Sequence, residues 1–293
     1  YLLAALVLPS KGHLMGQIAK LVSAIVLVVV FAAWRPAELP IDGQPDEEVV
    51  EHWEASDSTV TVVKKENGEH AIRINSNYSL GSSEAYMTQI YQTRVPLLAF
   101  PDSRSLFFLG MGTGITAGEA LDRTSFPKVE QVTVCELSPR VDTAARKYFG
   151  GSPGRPDLTN SLFRDPRATV LVRDGRNQLL ASETRYDMIN ADLFLPYRSG
   201  AGSLYSLEHY RSASKRLKPG GVFVQWLPLY QLSDREFGVI SRTMLEAFEQ
   251  VTIWRNHFKP GGEVVALVGQ MDKNPLPPSV VNSVQDQLWS VQG

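Results

Sequence analysis

An α/β fold built on a mostly parallel sheet is predicted by three observations. The run Ser105-Leu-Phe-Phe-Leu109 leads straight into Gly110-Met-Gly112-Thr-Gly114, a glycine-rich turn at the end of an apolar strand. The apolar runs that follow, Val132 to Glu136, Thr169 to Asp174 and Tyr186 to Asp192, each end in an acidic residue. Segments of helical length separate them, and alternating β and α units imply parallel strands joined by right-handed crossovers. Parallel strands are buried on both faces and ligands bind outside their carboxyl ends, so the glycine turn and three carboxylates should meet at one crevice.

In chain order, the first 34 residues stand apart. Leu14 to Trp34 carries Lys20 as its only full charge, close to the roughly 20 apolar residues that cross a bilayer. This predicts a truncated transmembrane segment over 1–34, the end of a longer membrane protein, with the domain after it on the cytosolic side. Arg35 to Glu48, rich in Pro and acid, reads as a linker. A small N-terminal β domain over 49–82 follows, because Ser58–Lys64 and His70–Ile74 alternate around Asn67-Gly68, a strong two-strand turn signal. Ser83 to Phe100 reads as a helix that Pro96 ends or kinks.

From there to Gln270 a larger α/β domain (83–270) is expected. Its candidate helices are 117–123, 140–149, 177–182 and 206–217. Lys218-Pro-Gly-Gly221 reads as a turn into the strand Val222–Trp226. The remainder, 271–293, reads as a tail with a short helix near Val280 to Trp289.

Composition narrows the function. Hydrophobic residues make up 43% of the chain, charged residues 20%, and the formal net charge is -2, so no basic excess points to nucleic acid. Cys135 is the only cysteine and lies inside an apolar strand, where packing rather than a reactive thiol is expected. Five scattered His and one Cys give no metal-ligand spacing.

The chemistry sits at the strand ends. Gly110, Gly112 and Gly114 let backbone approach a ligand, and no Lys follows them, so the turn is not a phosphate-gripping P-loop. Glu136, 26 residues after Gly110 (136 minus 110), is spaced to accept from ribose hydroxyls. Asp174-Gly175 stands where a carboxylate could accept from an adenine amine, with a helix N-cap as the competing role for Asp174. Asp192 follows an apolar strand and precedes Leu193-Phe-Leu-Pro-Tyr197, a setting suited to a general base, with turn capping as the alternative. Tyr197, Tyr205, Trp226 and Tyr230 are candidates to hold a cation by their π-faces, and His209 reads as a packing residue.

Taken in order, the glycine turn, Glu136, Asp174-Gly175, Tyr186-Asp187 with Asp192, Leu204-Tyr205-Ser206 with Tyr210, and Leu217-Lys-Pro-Gly-Gly-Val-Phe-Val resemble the spermidine synthase (polyamine aminopropyltransferase) family. Gly110–Gly118 and Gly221–Ser233 look most like its membrane-fused branch. The resemblance covers about Val49 to Gln270. It implies a Rossmann-like sheet of the S-adenosylmethionine-dependent transferase type, preceded by the small β domain.

It also implies decarboxylated S-adenosylmethionine, or the intact form, as co-substrate without a metal, an amine acceptor, and a possible homodimer. Gly110, Gly112, Thr113 and Gly114 would then line the donor's thioether side, Glu136 would bind ribose, Asp174 and Gly175 adenine, and Asp192 would deprotonate the attacking amine. Two departures bear on the acceptor. The family carries an Asp where this chain has Thr113 and another where it has Leu195, which weakens putrescine binding through the usual contacts. Two alternatives stay open: a transferase, for example a methyltransferase, with a non-polyamine acceptor, and a noncatalytic nucleotide- or polyamine-sensing domain of a membrane protein.

Overall fold

A computed structural model describes residues 46–54, 58–75, 78–192, 200–256 and 264–272, together with Val22, Ile25, Val26 and Val29, which are helical and exposed. By internal contacts the chain divides into residues 1–45 and residues 46–293.

The second unit opens with a four-stranded antiparallel sheet, β1 (Glu47–Glu54), β2 (Thr59–Lys65), β3 (His70–Ile74) and β4 (Tyr78–Ser82), ordered β1-β2-β3-β4. The expected hairpin around Asn67-Gly68 is β2 and β3, with Gly68 at a φ of 87°, a left-handed conformation that glycine adopts at no steric cost. Helix α1 (Tyr86–Ala99) follows.

Next come β5 (Ser105–Leu109), α2 (Ile115–Glu119), β6 (Gln131–Glu136), α3 (Pro139–Tyr148), β7 (Ala168–Val172), α4 (Gly175–Ala181) and β8 (Tyr186–Ala191). The chain continues through a 3-10 turn (Ala201–Tyr205), α5 (Leu207–Lys215), β9 (Leu217–Pro228), a second 3-10 turn (Leu229–Gln231), α6 (Asp234–Leu245), β10 (Gln250–Asn256) and β11 (Val264–Gln270). These strands form one sheet ordered β10-β11-β9-β8-β5-β6-β7. β5 to β9 run parallel to one another, while β11 runs antiparallel to both β9 and β10.

Alternation along β5 shows why the sheet is buried on both faces. Leu106 and Phe108 join one core with Val134, Met188 and Val224; Phe107 and Leu109 join a second core with Cys135, Ile189 and Phe223. These four side chains are at most 4% exposed, each contributing roughly 1.5–3 kcal/mol by removal from water. Because β6 and β7 lie on one side of β5 and β8 and β9 on the other, the strand order reverses at β5, which opens a crevice beyond the carboxyl ends of β5 and β8.

Pro96 neither ends nor visibly stops α1, which runs to Ala99. Proline lacks an N–H, so the carbonyl four residues back, that of Gln92, loses its helical donor. Trp226 Nε1 (3.1 Å) and Asn190 Nδ2 (3.0 Å) donate to it instead, which pins α1 to β8 and β9. The expected turn at Lys218–Gly221 is a bulge inside β9: Tyr186 pairs with Leu217 and Met188 with Val222, leaving four residues looped opposite Asp187. Asp187 holds that bulge and the start of β5, accepting from Lys218 Nζ at 2.9 Å and from the Ser105 N–H at 2.8 Å.

Expectations for the N-terminus need correction. The predicted membrane segment lies almost wholly outside the described residues, as do residues 35–45 of the expected linker (35–48) and the helix near Val280 to Trp289; the linker's last two residues, Glu47 and Glu48, instead begin β1, so the β domain starts before the expected 49. Among the described residues no helix is long and apolar enough to cross a membrane, so the structure lends no support to a transmembrane remnant or to the membrane-fused branch.

Candidate functional site

A cavity of about 1090 Å³ opens where the crevice was expected, at the carboxyl ends of β5, β6 and β8. Gly110, Met111 and Gly112 line it. Gly112 has a φ of 56°, and a Cβ there would come 3.2 Å from the Leu80 carbonyl oxygen. A side chain is therefore excluded both by backbone conformation and by the approach of β4.

Two carboxylates flank this turn. Glu136, 7% exposed, accepts from the Met111 N–H (3.2 Å), the Gly112 N–H (3.3 Å) and the Ser138 N–H (2.9 Å). Burial pushes its carboxyl up; the three backbone N–H donors pull it down, and the nearby negative charge of Asp192 adds to the upward push. Asp192, half-buried, lies on the other side, its Oδ2 3.9 Å from where a Gly112 Cβ would sit. Its backbone is fixed by its own N–H to the Leu109 carbonyl (3.2 Å) and by Gln225 Nε2, which donates to its carbonyl at 3.1 Å. Both carboxylates and Asp174 line the cavity.

Asp174 is the N-cap of α4: its Oδ1 accepts from the Arg176 N–H (2.8 Å) and the Asn177 N–H (3.1 Å), and its Oδ2 from Asn177 Nδ2 (3.2 Å). The competing role named for it from sequence is thus present. Gly175 packs tightly, since a Cβ there would meet Cys135 Cβ and Leu109 Cγ at 3.2 Å each. Cys135 is buried at that contact and burial pushes its thiol up to about 12, which leaves it protonated and unreactive near neutrality.

Several expected positions require correction. Thr113 and Gly114 stand behind the cavity wall and do not line it. Thr113 is 1% exposed; its hydroxyl donates to Gln89 Oε1 and accepts from the Ile115 N–H at 3.3 Å. Gly114, with a φ of 83°, backs onto Leu162, Phe163 and Thr159, so it serves packing. α2 has only five residues and its first N–H is already bonded to Thr113, which leaves its N-terminus little to offer a ligand. Trp226 is fully buried, with its indole N–H bonded to Gln92, and Tyr205 is 7% exposed in the second core. Of the four aromatic candidates, Tyr230 lines the cavity and is 63% exposed; Tyr197 lies outside the described residues. His209 is 1% exposed against Tyr210 and Phe223, the packing role expected.

Residues not anticipated from sequence complete the wall. Ser82, Thr88, Gln89 and Gln92 come from β4 and α1, Gln231 from the second 3-10 turn. Gln89 Nε2 donates to the Ser82 carbonyl at 2.8 Å while its Oε1 accepts from Thr113, and Gln92 Oε1 accepts from Thr116 Oγ1 at 3.1 Å. The signal that could have found them is the polar pair Gln89 and Gln92, one helical turn apart, in a segment otherwise read as core. Among the described residues no cluster of His, Cys, Asp and Glu could hold a metal ion.

Residues 86–254 match the family described as spermine/spermidine synthase domain. The polyamine aminopropyltransferase of Desulforudis audaxviator is 36% identical over 132 residues, 45% of this chain and 44% of that protein. That of Moorella thermoacetica is 29% identical over 184 residues, 62% and 61% of the two chains. The chain spans about half the length of the curated relatives it matches. Among solved structures, a spermidine synthase in complex with the transition-state analogue AdoDATO superposes with a TM-score of 0.67 at 21% identity, over 80% of this chain and 78% of that one. The spermidine synthase of Thermotoga maritima gives 0.66 at 20%, over 80% and 77%. These likenesses favour neither the methyltransferase nor the sensor alternative, and the expected membrane location is overturned by them together with the absence, among the described residues, of any membrane-spanning helix.

Proposed function

We propose, from the premise that the chain belongs to the spermine/spermidine synthase family, that it moves an aminopropyl group from decarboxylated S-adenosylmethionine to a primary amine and releases methylthioadenosine. The observation that carries this reading is the placement of Glu136 and Asp192 on either side of Gly112, over one cavity at the carboxyl ends of β5, β6 and β8.

The donor chemistry fits the residues present. Glu136 is buried and already ordered by three backbone N–H groups. A carboxylate so fixed keeps lone pairs for ribose hydroxyls and loses little freedom in binding them. Asp174, ordered as the α4 N-cap, retains acceptor capacity for the adenine amine. Gly110 and Gly112 let the donor approach the main chain.

Asp192 would take the proton from the attacking ammonium. The freed nitrogen lone pair forms a C–N bond to the propyl carbon as the C–S bond breaks. The departing electron pair neutralises the sulfonium to a thioether. No covalent help from the protein is needed, so its contributions are positioning and proton removal.

The test is to incubate the chain with decarboxylated S-adenosylmethionine and a panel of primary amines and to follow products by mass spectrometry. Methylthioadenosine that requires both donor and amine is expected. S-adenosylhomocysteine from intact S-adenosylmethionine, with no methylthioadenosine from any pair, would overturn the reading.

A further inference from the structure

Two neighbouring strands hold Asp192 in place. Strand β8 ends at Ala191, one residue short of it, while β9 runs on to Pro228. On one side the Asp192 N–H donates to the Leu109 carbonyl of β5 at 3.2 Å. On the other, Gln225, the β9 residue in register with Ala191, donates through its side-chain Nε2 to the Asp192 carbonyl at 3.1 Å. Held before and after its Cα, Asp192 keeps one Cα–Cβ direction, and its carboxylate one aim beside Gly112.

Gln225 is a poor packing residue for its position. It is fully buried, and the β9 residues on the same face, Phe223 and Leu227, belong to an apolar core. Nε2 faces two carbonyls, those of Asp192 and Trp226 (3.3 Å), so turning the amide over would set oxygen against oxygen. Oε1 is then left buried with no hydrogen-bond partner among the described residues, and an unmet buried acceptor is destabilising. Leucine or methionine would fill the same space without that loss. An amide that weakens the core while gripping the carbonyl of Asp192 points to a role at that residue.

We infer that Gln225 is a positioning residue: through the Asp192 carbonyl it sets the aim of the carboxylate that takes the proton from the attacking amine. This rests on the aminopropyl-transfer reading with Asp192 as its base. Without the grip, the Asp192 backbone can rotate about the bond to its own carbonyl, and a misplacement of about 1 Å costs on the order of 100-fold in rate. Donor binding should not follow, because Glu136 and Asp174 are held by residues 111, 112, 138, 176 and 177, none of them in β9.

The experiment compares Gln225→Leu and Gln225→Met with the parent chain, using decarboxylated S-adenosylmethionine and 1,4-diaminobutane, or the panel amine that turns over fastest. Both variants should unfold at denaturant midpoints equal to or above the parent's and bind the donor equally well by calorimetry. With the KM for the amine little changed, kcat should fall by roughly tenfold or more. Added to Asp192→Asn, Gln225→Leu should lower kcat by less than about twofold further, because it acts only through that carboxylate. An unchanged kcat in both variants overturns the inference and leaves aminopropyl transfer standing. So does a fall in kcat accompanied by lower midpoints and weaker donor binding, the pattern of a packing role, and so does an undiminished effect in the Asp192→Asn background. A parent chain that yields no methylthioadenosine removes the transfer reading, an Asp192→Asn chain as active as the parent removes the base, and either removes the inference with it.

Discussion

At the β5–β7 end of the cavity the carboxylates are tied to backbone N–H groups, whereas at the β4–α1 end side-chain amides bond to carbonyls and hydroxyls from distant segments. Glu136 accepts from residues 111, 112 and 138, and Asp174 from residues 176 and 177. Gln89, by contrast, joins residues 82 and 113, and the Gln92 carbonyl joins residues 190 and 226. Local turns build a fixed, charged surface at the first end. Tertiary packing builds the surface at the second. The difference predicts that local turns place the donor and tertiary packing places the acceptor, with Asp192 at the seam.

The largest effect expected is at that seam. Asp192→Asn keeps the size of the side chain and removes the base, so kcat should fall by roughly 10²–10⁴-fold, while donor affinity measured by calorimetry changes little. A parallel loss of donor binding would move Asp192 from the acceptor side to the donor side and erase the contrast. Glu136→Gln should do the reverse. An amide turns an N–H toward at least one of the three backbone donors that the carboxylate now satisfies, and donor affinity should drop roughly 10–100-fold, the worth of hydrogen bonds to a charged group. If kcat at saturating donor fell by as much, Glu136 would be acting on the chemistry and not on binding alone.

How much of this was legible beforehand follows the same division. The strand ends could be read because each apolar run and its terminal acid are adjacent in sequence, as in Val132–Glu136 and Tyr186–Asp192. Strand β5 is found over the residues expected for it. Gln89, Gln92 and Gln231 could not be read, since nothing local tells a polar residue facing a cavity from one facing water. Trp226 was misplaced for the same reason. Its partner is a carbonyl freed by a proline 130 residues earlier (226 minus 96), and only tertiary structure brings the two together.

Trp226→Phe tests that tertiary link. It leaves Asn190 as the side-chain donor to the Gln92 carbonyl and opens a gap beside α1. A stability loss of ~2 kcal/mol is expected from the lost N–H and the lost packing, seen in denaturant midpoints, together with a higher KM for the amine and an unchanged donor affinity. A donor-side effect would show that the two ends are mechanically coupled.

The smallest effect lies beneath the donor end, where His209 is packed with both ring nitrogens lacking partners. Burial holds its ring down to about 4, with Arg176 adding to the fall and Asp174 opposing it. The folded value is depressed below the ordinary one of 6.5. The unfolded chain therefore takes up a proton first as pH falls, and the stability this group contributes, complete above about 6.5, is lost on the way to about 4. Phe keeps the ring against Tyr210 and Phe223 and removes both the unmet hydrogen-bonding groups and the titration. His209→Phe should gain ~1 kcal/mol at neutral pH, a rise of roughly 2–4 °C in Tm, and more at pH 5. A gain that shrinks on acidification would mean that the ring is already protonated or paired in the fold, and that the donor end draws on a charge from below as well as on its backbone donors.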